Sequence, residues 1–306
     1  KQQKVGELKL EKPMEVLFEG ADENIYKPLE EKEIDSEFLN FINNEVEEDF
    51  AFLFLGQWTK GGYGEDRKDI AKLVKVFYES FANKKEQPTL ILKTNGATHS
   101  TIDREECLRK INQVKNMFPK DWKLPKVRLL HGSLSDEEVN YLYNHPKVKA
   151  MVSFTHGEGF GRPLLEATMA GLPVITSAWS GHVDFLSDSD SILLGGELKQ
   201  VPQSQVWKDI IIPESQWFNV NETQAYKALN YTFKNIDEVQ SKATNLMKTN
   251  RNKFTLNKMV DSLDKIISSR VSEMPQQVGL QLPKLKQVDS TSKSPKIKLP
   301  KLRTVV

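Results

Sequence analysis

Short apolar segments alternate with longer amphipathic segments through the middle of the chain. The apolar runs are typical of strands that are buried on both faces of a parallel sheet. Strands are predicted at Ala51–Leu55, Thr89–Lys93, Lys126–Leu130, Val148–Phe154, Leu172–Thr176 and Ser191–Leu194. Helices are predicted between them at Ile70–Ala82, Asp103–Met117, Ser135–Tyr143 and Pro163–Ala170. This alternation predicts an α/β fold with a Rossmann-like, doubly wound parallel sheet.

The pattern is weaker on both sides of this region. Met14–Phe18 is predicted as a strand, and residues 29–49 as a linker helix, because apolar residues recur there at helical spacing within an acid-rich stretch. Residues 195–213 follow neither period and are predicted to be irregular. Two C-terminal helices are predicted, at residues 222–250 and 253–269.

Composition limits the classes of protein to consider. The chain has 306 residues, of which 38% are hydrophobic and 28% charged, enough for one large or two ordinary domains. Cys107 is the single cysteine, so an internal disulfide is excluded and a reducing, cytoplasmic location is favoured. No apolar run approaches the roughly 20 residues of a membrane span. The five histidines are scattered without ligand spacing, so no metal site is predicted.

Charge is distributed unevenly. The net charge is +1, but residues 270–306 carry eight basic and two acidic residues, so this segment is +6 and the rest is −5. Its proline, serine and lysine content predicts a disordered basic tail. The tail contains a repeat, Leu282-Pro-Lys-Leu-Lys286 and Leu299-Pro-Lys-Leu-Arg303. The repeat fits either a docking motif for a protein partner or a solubilising tail.

A glycine-rich loop follows the strand Val148–Phe154. The loop His156–Gly161 contains three glycines, which permit positive φ angles and close approach of the backbone to a ligand. Pro163 suits the first position of the following helix, and a helix N-terminus favours phosphate. Glu158 in the loop and Glu166 in the helix are placed to face a pocket at the carboxyl end of the sheet, where open α/β folds bind ligands.

The segment GEGFGRPLLEATMAGLPVITSAWSG resembles the signature of the retaining, nucleotide-sugar-dependent glycosyltransferases of group 1, which have the glycosyltransferase-B fold. The resemblance extends over about residues 14–195 and identifies the chain with the donor-binding half of that fold. It implies that Glu158 contacts hydroxyls of the donor sugar and that Glu166 contacts the ribose. The backbone amides that would lie against sugar and phosphate are those of Gly159, Phe160 and Gly161.

The loop GQWTKGGYGEDRKD after the first strand resembles the loop that holds the donor diphosphate in this family. Lys68 stands at the position of the family's lysine. Where the family has Gly-Arg, this chain has Gly56-Gln57, which is a departure from the pattern. Arg67 is a candidate for the second positive charge, because the guanidinium group binds phosphate well.

Further positions are expected to complete the donor site. Lys93 ends a strand at the same edge of the predicted sheet and is expected to line the pocket. The turn from His131 to Leu134 resembles the nucleobase pocket of the family. His156 stands beside the signature loop, where it fits either a hydrogen bond to donor or acceptor or an ordinary polar loop residue.

The resemblance implies transfer of a sugar from a nucleotide-diphosphate donor to an unknown acceptor, with retention of configuration. Lys68, Arg67 and the helix N-terminus would neutralise the leaving diphosphate, while Glu158 would orient the sugar. No cofactor or metal is expected besides the donor substrate. A glycosidase mechanism is not favoured, because nothing in the sequence indicates carboxylates that flank a glycosidic bond.

Four segments are predicted along the chain. Residues 1–48 would be a remnant of an N-terminal domain and a linker, and residues 49–200 the donor-binding domain. Residues 201–270 would hold an irregular segment and the C-terminal helices, and residues 271–306 the tail. The acceptor-binding half would then be supplied in cis or by another chain. We therefore expect poor transfer by this chain alone and an exposed apolar face on its last two helices.

Two other functions fit the same sequence. The first is a non-catalytic scaffold of glycosyltransferase-like fold, docked through its basic tail; Gln57 and the missing half permit it. The second is a sugar-nucleotide epimerase of the same fold, which analysis of the products formed from donor alone would distinguish.

Overall fold

Six parallel strands form the central sheet of the protein. The computed structural model describes residues 12–59 and 61–271. Apart from Val271, the predicted disordered tail and its repeat lie outside these ranges. The strands are β1 (Ala51–Leu55), β2 (Thr89–Lys93), β3 (Val127–Leu130), β4 (Val148–Ser153), β5 (Val174–Ser177) and β6 (Ile192–Leu194). Their order across the sheet is β3-β2-β1-β4-β5-β6. The predicted α/β fold with a doubly wound parallel sheet is therefore confirmed.

One α-helix precedes the sheet in the described part of the chain, and the others lie between strands or follow the last of them. The α-helices of the described residues are α1 (Ser36–Glu45), α2 (Ile70–Phe81), α3 (Thr101–Lys115), α4 (Asp136–Asn144), α5 (Arg162–Met169), α6 (Glu222–Lys234), α7 (Ile236–Lys253) and α8 (Leu256–Val271). Local chemistry explains their ends: Ser135 and Glu138 form a capping box at the start of α4. Within the described ranges, no helix is long and apolar enough to cross a membrane.

The sheet is covered by apolar side chains on both faces. Alternate residues of β1 point to opposite sides, so Phe52 and Phe54 join one hydrophobic cluster with Phe77 of α2. Leu53 joins a second cluster on the other face, with Leu165 of α5. Because helices cover both faces, β1 is buried and apolar at nearly every position. This explains why the strand reads as a continuous apolar run in the sequence.

The strand predicted at Met14–Phe18 is wrong. Within the described residues this segment pairs with no strand, and Val16 is 90% exposed. A strand needs a neighbouring backbone, and the only pairing near it is the isolated bridge between Ala21 and Thr255 in the described part of the chain. Phe18 contacts the ring of Phe254 edge-on, with ring centroids 5.2 Å apart.

The irregular segment predicted after β6 is wrong in part. Strand β7 (Gly196–Gln200) pairs antiparallel with β8 (Gln216–Val220), with Leu198 opposite Phe218. All five residues of β7 are exposed, so the strand shows no buried face in its sequence. Backbone pairing with β8 decides its conformation instead.

The first predicted C-terminal helix is two helices in the structure. The helical conformation is interrupted between α6 and α7 at Asn235, which has φ −125° and ψ 40°. Helix α8 buries none of its side chains, and Leu256, Val260 and Leu263 are exposed at helical spacing. The exposed apolar face that was expected on the last two predicted helices is therefore present on the last of them, α8. The end of α8, from Ile267 onward, falls in a second unit.

Candidate functional site

Two loops meet at the carboxyl end of the sheet, where β1 and β4 lie side by side. From β1 the chain continues to β2 on one side, and from β4 it continues to β5 on the other. This reversal of strand order opens a crevice, the usual ligand position in doubly wound folds. The backbone N–H of His156 donates to the carbonyl oxygen of Arg67 at 3.0 Å and joins the two loops.

Glu158 lies between two cations from the opposite loop. Its Oε1 forms an ion pair with Nζ of Lys68, and its Oε2 lies 3.3 Å from Nη1 of Arg67. Arg67 also donates to the carbonyl oxygen of Gly157 at 3.0 Å. The Lys68 and Glu158 side chains are only 12% and 9% exposed, whereas Arg67 is half-exposed. The structure thus brings together the three residues that were predicted to act on sugar and diphosphate.

The ionisation of Glu158 follows from this arrangement. Burial acts to raise the pKa of Glu158, but the charges of Lys68 and Arg67 outweigh burial and hold this pKa below its ordinary value. The carboxyl is therefore an anion over the neutral pH range and offers only hydrogen-bond acceptors. Burial lowers the pKa of Lys68, although Glu158 opposes this shift.

A turn after β5 fixes the position of the Glu158 backbone. Oγ of Ser180 accepts a hydrogen bond from the N–H of Glu158 at 2.8 Å and donates to its carbonyl oxygen. Ser180 has a φ of 83°, a conformation that costs energy for a residue with a side chain. Gly181 also donates to this carbonyl at 3.1 Å, and a Cβ at Gly181 would overlap the carbonyl oxygen of Gly159. The serine–glycine pair therefore holds the signature loop in one shape.

The start of helix α5 opens toward the crevice. Gly161 precedes the helix with a φ of 95°, which glycine adopts without strain. Phe160 turns into the core, where its ring lies 5.1 Å from that of Phe185. Gly159 is exposed, and a Cβ added there would meet no atom within 4 Å. The backbone of Gly159 is thus accessible, as the predicted contact with a donor requires.

Glu166 belongs to a different ion pair. Its Oε1 lies 3.2 Å from Nη2 of Arg162, one turn earlier in α5, and its side chain is almost wholly buried. Burial raises the pKa of Glu166 to about 7, although Arg162 opposes this shift. Glu166 therefore lies beneath Arg162, while Glu158 faces Lys68 and Arg67.

Gly56 and Gln57 lie at the end of β1. A Cβ at Gly56 would lie only 3.0 Å from Cζ of Phe54, so the glycine leaves room for this ring, while Cε of Lys68 would lie at an ordinary contact distance of 3.6 Å. Gln57 is exposed and lines a cavity of about 770 Å³ together with Trp58, Asp103 and other residues of the β2 side. The residue that replaces the expected arginine therefore faces this cavity on the β2 side.

The remaining predicted residues of the β2–β3 side are engaged with the protein. Nζ of Lys93 donates to the carbonyl oxygen of Gly132, and burial lowers the pKa of Lys93. Nε2 of His131 lies 2.9 Å from Oδ2 of Asp103. Leu134 is partly buried against the second hydrophobic cluster.

Asp103 was missed by sequence reasoning, although it organises the loop after β2. Its carboxylate accepts hydrogen bonds from the N–H groups of Gly96 and Ala97 at 2.8 and 3.0 Å. Its spacing of three from Ser100, the N-cap of α3, was the available signal, since acids are common in the first turn.

His156 is buried rather than presented to the crevice. Its Nδ1 lies 2.7 Å from the carbonyl oxygen of Phe218, and its ring stacks on Trp217 with centroids 4.8 Å apart. Its Nε2 lies 3.8 Å from Oδ2 of Asp69. Burial lowers the pKa of His156, although Asp69 opposes this shift. The ring therefore joins the signature loop to β8.

A buried acidic pair under the Lys68 loop was also missed. Oδ1 of Asp66 accepts from the N–H of Lys68 at 3.0 Å, and its Oδ2 accepts from the N–H of Ile70 at 3.2 Å. Burial and the nearby Asp69 raise the pKa of Asp66 to about 6. These bonds fix the backbone from which the Lys68 side chain extends. In the described part of the chain, no group of three or more His, Cys, Asp or Glu side chains is placed to hold a metal ion.

Comparison with known proteins agrees with the fold and the motif. The family model described as "Glycosyl transferases group 1" matches residues 35–212, more than half of the chain. No curated protein matches the sequence.

Solved structures share the fold at low sequence identity. Anabaena HepE, solved with UDP and glucose, matches at 15% identity with a TM-score of 0.55, over 83% of this chain and 57% of HepE. Sucrose-phosphate synthase of Thermosynechococcus elongatus matches at 15% identity with a TM-score of 0.56, over 84% of this chain and 52% of that enzyme. The chain therefore spans little more than half the length of these two proteins.

A single domain gives a match of different extent. The C-terminal domain of the group 1 glycosyl transferase LpcC from Francisella tularensis matches at 15% identity with a TM-score of 0.51. This match covers 100% of that domain and 78% of this chain.

Proposed function

The chain belongs to the group 1 glycosyl transferases, and we propose that it binds a nucleotide-diphosphate sugar and transfers the sugar, with retention of configuration, to an acceptor. The observation that carries this proposal is the position of Glu158 between Lys68 and Arg67 at the switch point of the sheet. An anion that accepts hydrogen bonds from sugar hydroxyls there stands beside cations that attract a diphosphate.

Lys68 and Arg67 would act on the leaving group. As the bond between sugar and diphosphate breaks, negative charge develops on the diphosphate, and two nearby cations stabilise that charge. Burial of Lys68 strengthens the effect, because water screens its charge less. The N-terminus of α5 adds a partial positive charge on the other side of the crevice.

The donor would compete for the contacts that the two cations make with Glu158. Lys68 and Arg67 both bind Glu158 in the structure, and a diphosphate would compete for the same groups. Glu158 would then be free to accept hydrogen bonds from the donor sugar. Arg67 suits this exchange because it is half-exposed and holds Glu158 by a single contact of 3.3 Å. In this proposal Arg67 supplies the charge that Gln57 lacks.

Glu166 would bind the ribose, as the resemblance implies. Its carboxyl lies under Arg162, so the arginine must move or share the carboxylate when the ribose arrives. With a pKa near 7, Glu166 carries a proton in part of the molecules at neutral pH and can both donate to and accept from a hydroxyl. His156 acts as a positioning residue in this proposal, because its ring is buried against Trp217.

The chain would be the donor-binding half of a larger enzyme. The structural matches support this, because the chain matches the whole of the LpcC C-terminal domain but only about half of HepE and of sucrose-phosphate synthase. In addition, Leu256, Val260 and Leu263 form an exposed apolar face on α8. An acceptor-binding half, in cis or in another chain, would cover this face. The proposal needs no cofactor besides the donor substrate, and it keeps the cytoplasmic location expected from the single cysteine.

Calorimetric titration with UDP-, GDP- and ADP-glucose tests the donor site. Wild-type protein should bind one nucleotide series, and Glu158→Gln and Lys68→Met should weaken that binding by roughly tenfold or more. Lys120→Met is the matched control, because Lys120 is exposed and precedes β3, whereas the candidate site lies at the carboxyl ends of the strands. Binding that survives both site variants would contradict the proposed site. Absence of binding in wild type would favour a scaffold of the same fold.

A further inference from the structure

An exposed tryptophan stands beside the signature loop. Trp179 follows β5 at the carboxyl end of the sheet and is 42% exposed. A Cβ added to Gly157 would lie 3.9 Å from Cδ1 of Trp179, so the indole borders the loop that carries Glu158. The next residue, Ser180, binds the backbone of Glu158 on both sides. The indole is therefore fixed close to the carboxylate expected to receive the sugar.

The ring of Phe218 packs against Trp179. Its indole stacks on Phe218, with ring planes 6° apart and centroids separated by 5.9 Å. Phe218 is buried, and its N–H donates to the carbonyl oxygen of His156 at 3.2 Å. The hairpin β7–β8 thereby supports the indole from one side. An exposed aromatic side chain that is already packed against a neighbouring ring loses less entropy when a ligand covers it than a free side chain would.

The apolar surface continues onto the hairpin. Leu198 lies opposite Phe218 in the β7–β8 register, so both side chains extend from the same face of the hairpin. Leu198 is exposed, as is Trp179. Trp179 and Leu198 are thus two exposed apolar side chains that are linked through Phe218. Flat apolar faces beside hydroxyl-binding carboxylates match the two surfaces of a sugar, which has C–H faces and hydroxyl edges.

We propose that Trp179 is a platform on which a pyranose ring stacks beside Glu158. The inference rests on the proposed function, because it assumes that the crevice receives a sugar. The C–H groups of a pyranose face carry partial positive charge and pack against the negative face of an aromatic ring. The ring can belong to the donor sugar or to an acceptor sugar, and the experiment separates these sources.

The donor arm compares nucleotide-sugars with nucleotides. UDP, GDP, ADP and their glucose derivatives are titrated calorimetrically into wild type, Trp179→Ala and Trp179→Phe. If the donor sugar stacks, Trp179→Ala weakens binding of the glucose derivative by roughly three- to tenfold and leaves the free nucleotide unchanged. Trp179→Phe, which keeps a flat ring, should restore most of the affinity. Trp207→Ala is the control, since Trp207 is also exposed but lies in the loop between β7 and β8.

The acceptor arm uses free sugars. Saturation-transfer NMR with the methyl α-glycosides of glucose, galactose and mannose is recorded with and without the nucleotide that binds. Transfer to the ring C–H protons in wild type, lost in Trp179→Ala and kept in Trp179→Phe and Trp207→Ala, assigns the platform to an acceptor sugar. Equal behaviour of wild type and Trp179→Ala in both arms overturns the platform. If no nucleotide binds wild type, the donor proposal fails, and the free sugars alone still decide the platform.

Discussion

Lys68 and Glu158 lie 90 positions apart in the sequence and form an ion pair across the crevice between β1 and β4. Each comes from the loop that leaves one of two adjacent parallel strands at its carboxyl end. Both side chains are shielded from water, and burying a charge costs free energy. The attraction between the two charges offsets part of this cost for each of them. The pair therefore links the conformations of the two loops.

Removing one member of this pair should destabilise the fold more than removing both. Lys68→Met and Glu158→Gln each leave a shielded group without its charged partner, and we expect a loss of roughly 1–3 kcal/mol in the free energy of unfolding. Lys68→Met should be the milder change, because Arg67 still contacts Glu158. Urea denaturation of both single variants and the double variant measures the coupling. Single-variant losses that add within about 0.5 kcal/mol would show that the pair is not coupled.

Arg67 should carry the second positive charge of the donor site. Arg67→Ala is expected to weaken nucleotide-sugar binding by roughly tenfold, because a charge-assisted hydrogen bond to phosphate is lost. Adding Gln57→Arg in the Arg67→Ala background should recover part of this affinity, since Gln57 is exposed two residues after β1, in the loop that also carries Arg67 and Lys68. Calorimetry on the two variants provides the test. Unchanged affinity in Arg67→Ala would place the second cation elsewhere.

Stability should depend on pH through Glu166. Its pKa rises from 4.5 to about 7 on folding, so the unfolded chain releases this proton at a lower pH than the folded protein does. The free energy of unfolding should therefore fall as the pH rises from about 4.5 to 7, by roughly 2–3 kcal/mol from this residue. Glu166→Gln should remove this part of the pH dependence. Chemical denaturation between pH 5 and 8 measures it, with the exposed Glu137→Gln as control; identical slopes in wild type and Glu166→Gln would refute it.

Two glycines of the site should respond differently to alanine. Gly181→Ala places a Cβ against the carbonyl oxygen of Gly159, so the turn must shift and Tm should fall by several degrees. Gly159→Ala meets no protein atom and should leave Tm within about a degree, while donor affinity falls because the new methyl group occupies the ligand side. Thermal melts and calorimetry on both variants test this contrast. Full donor affinity in Gly159→Ala would mean that the donor does not approach this backbone.

The apolar face of α8 should make the isolated chain associate with itself. Val260 is 48% exposed and Leu263 lies on the same face, so two copies can bury these residues together. Val260→Glu with Leu263→Glu should reduce association without lowering Tm, because neither side chain is buried. Sedimentation velocity over a range of concentrations gives the test, with Lys265→Glu on the same helix as control. A wild-type chain that stays monomeric at high concentration would argue against an uncovered interface.

The order of elements could be predicted because each depends on local pattern. The apolar run Ala51–Leu55 predicts β1 with its bounds, because a strand covered on both faces needs apolar residues throughout. Gly161 and Gly171 bracket α5 because both adopt positive φ. The resemblance to the group 1 family, carried by the same glycines and acids, is confirmed by the family match. Strand β7 was not predicted, because its residues are all exposed and show no apolar pattern. It is a strand because its backbone pairs with that of β8.

The sequence by itself determined the parallel sheet, the glycine loop and the residue types that the crevice presents. The tertiary structure decided which of those residues meet. It joined Glu158 to Lys68 and Arg67, placed Glu166 under Arg162 and turned His156 into the protein against Trp217. It also set Trp179 beside the signature loop through Phe218, far along the chain. The local sequence pattern determines backbone conformation over a few residues. Contacts between distant loops depend instead on strand order and on how buried charges pair and aromatic rings pack.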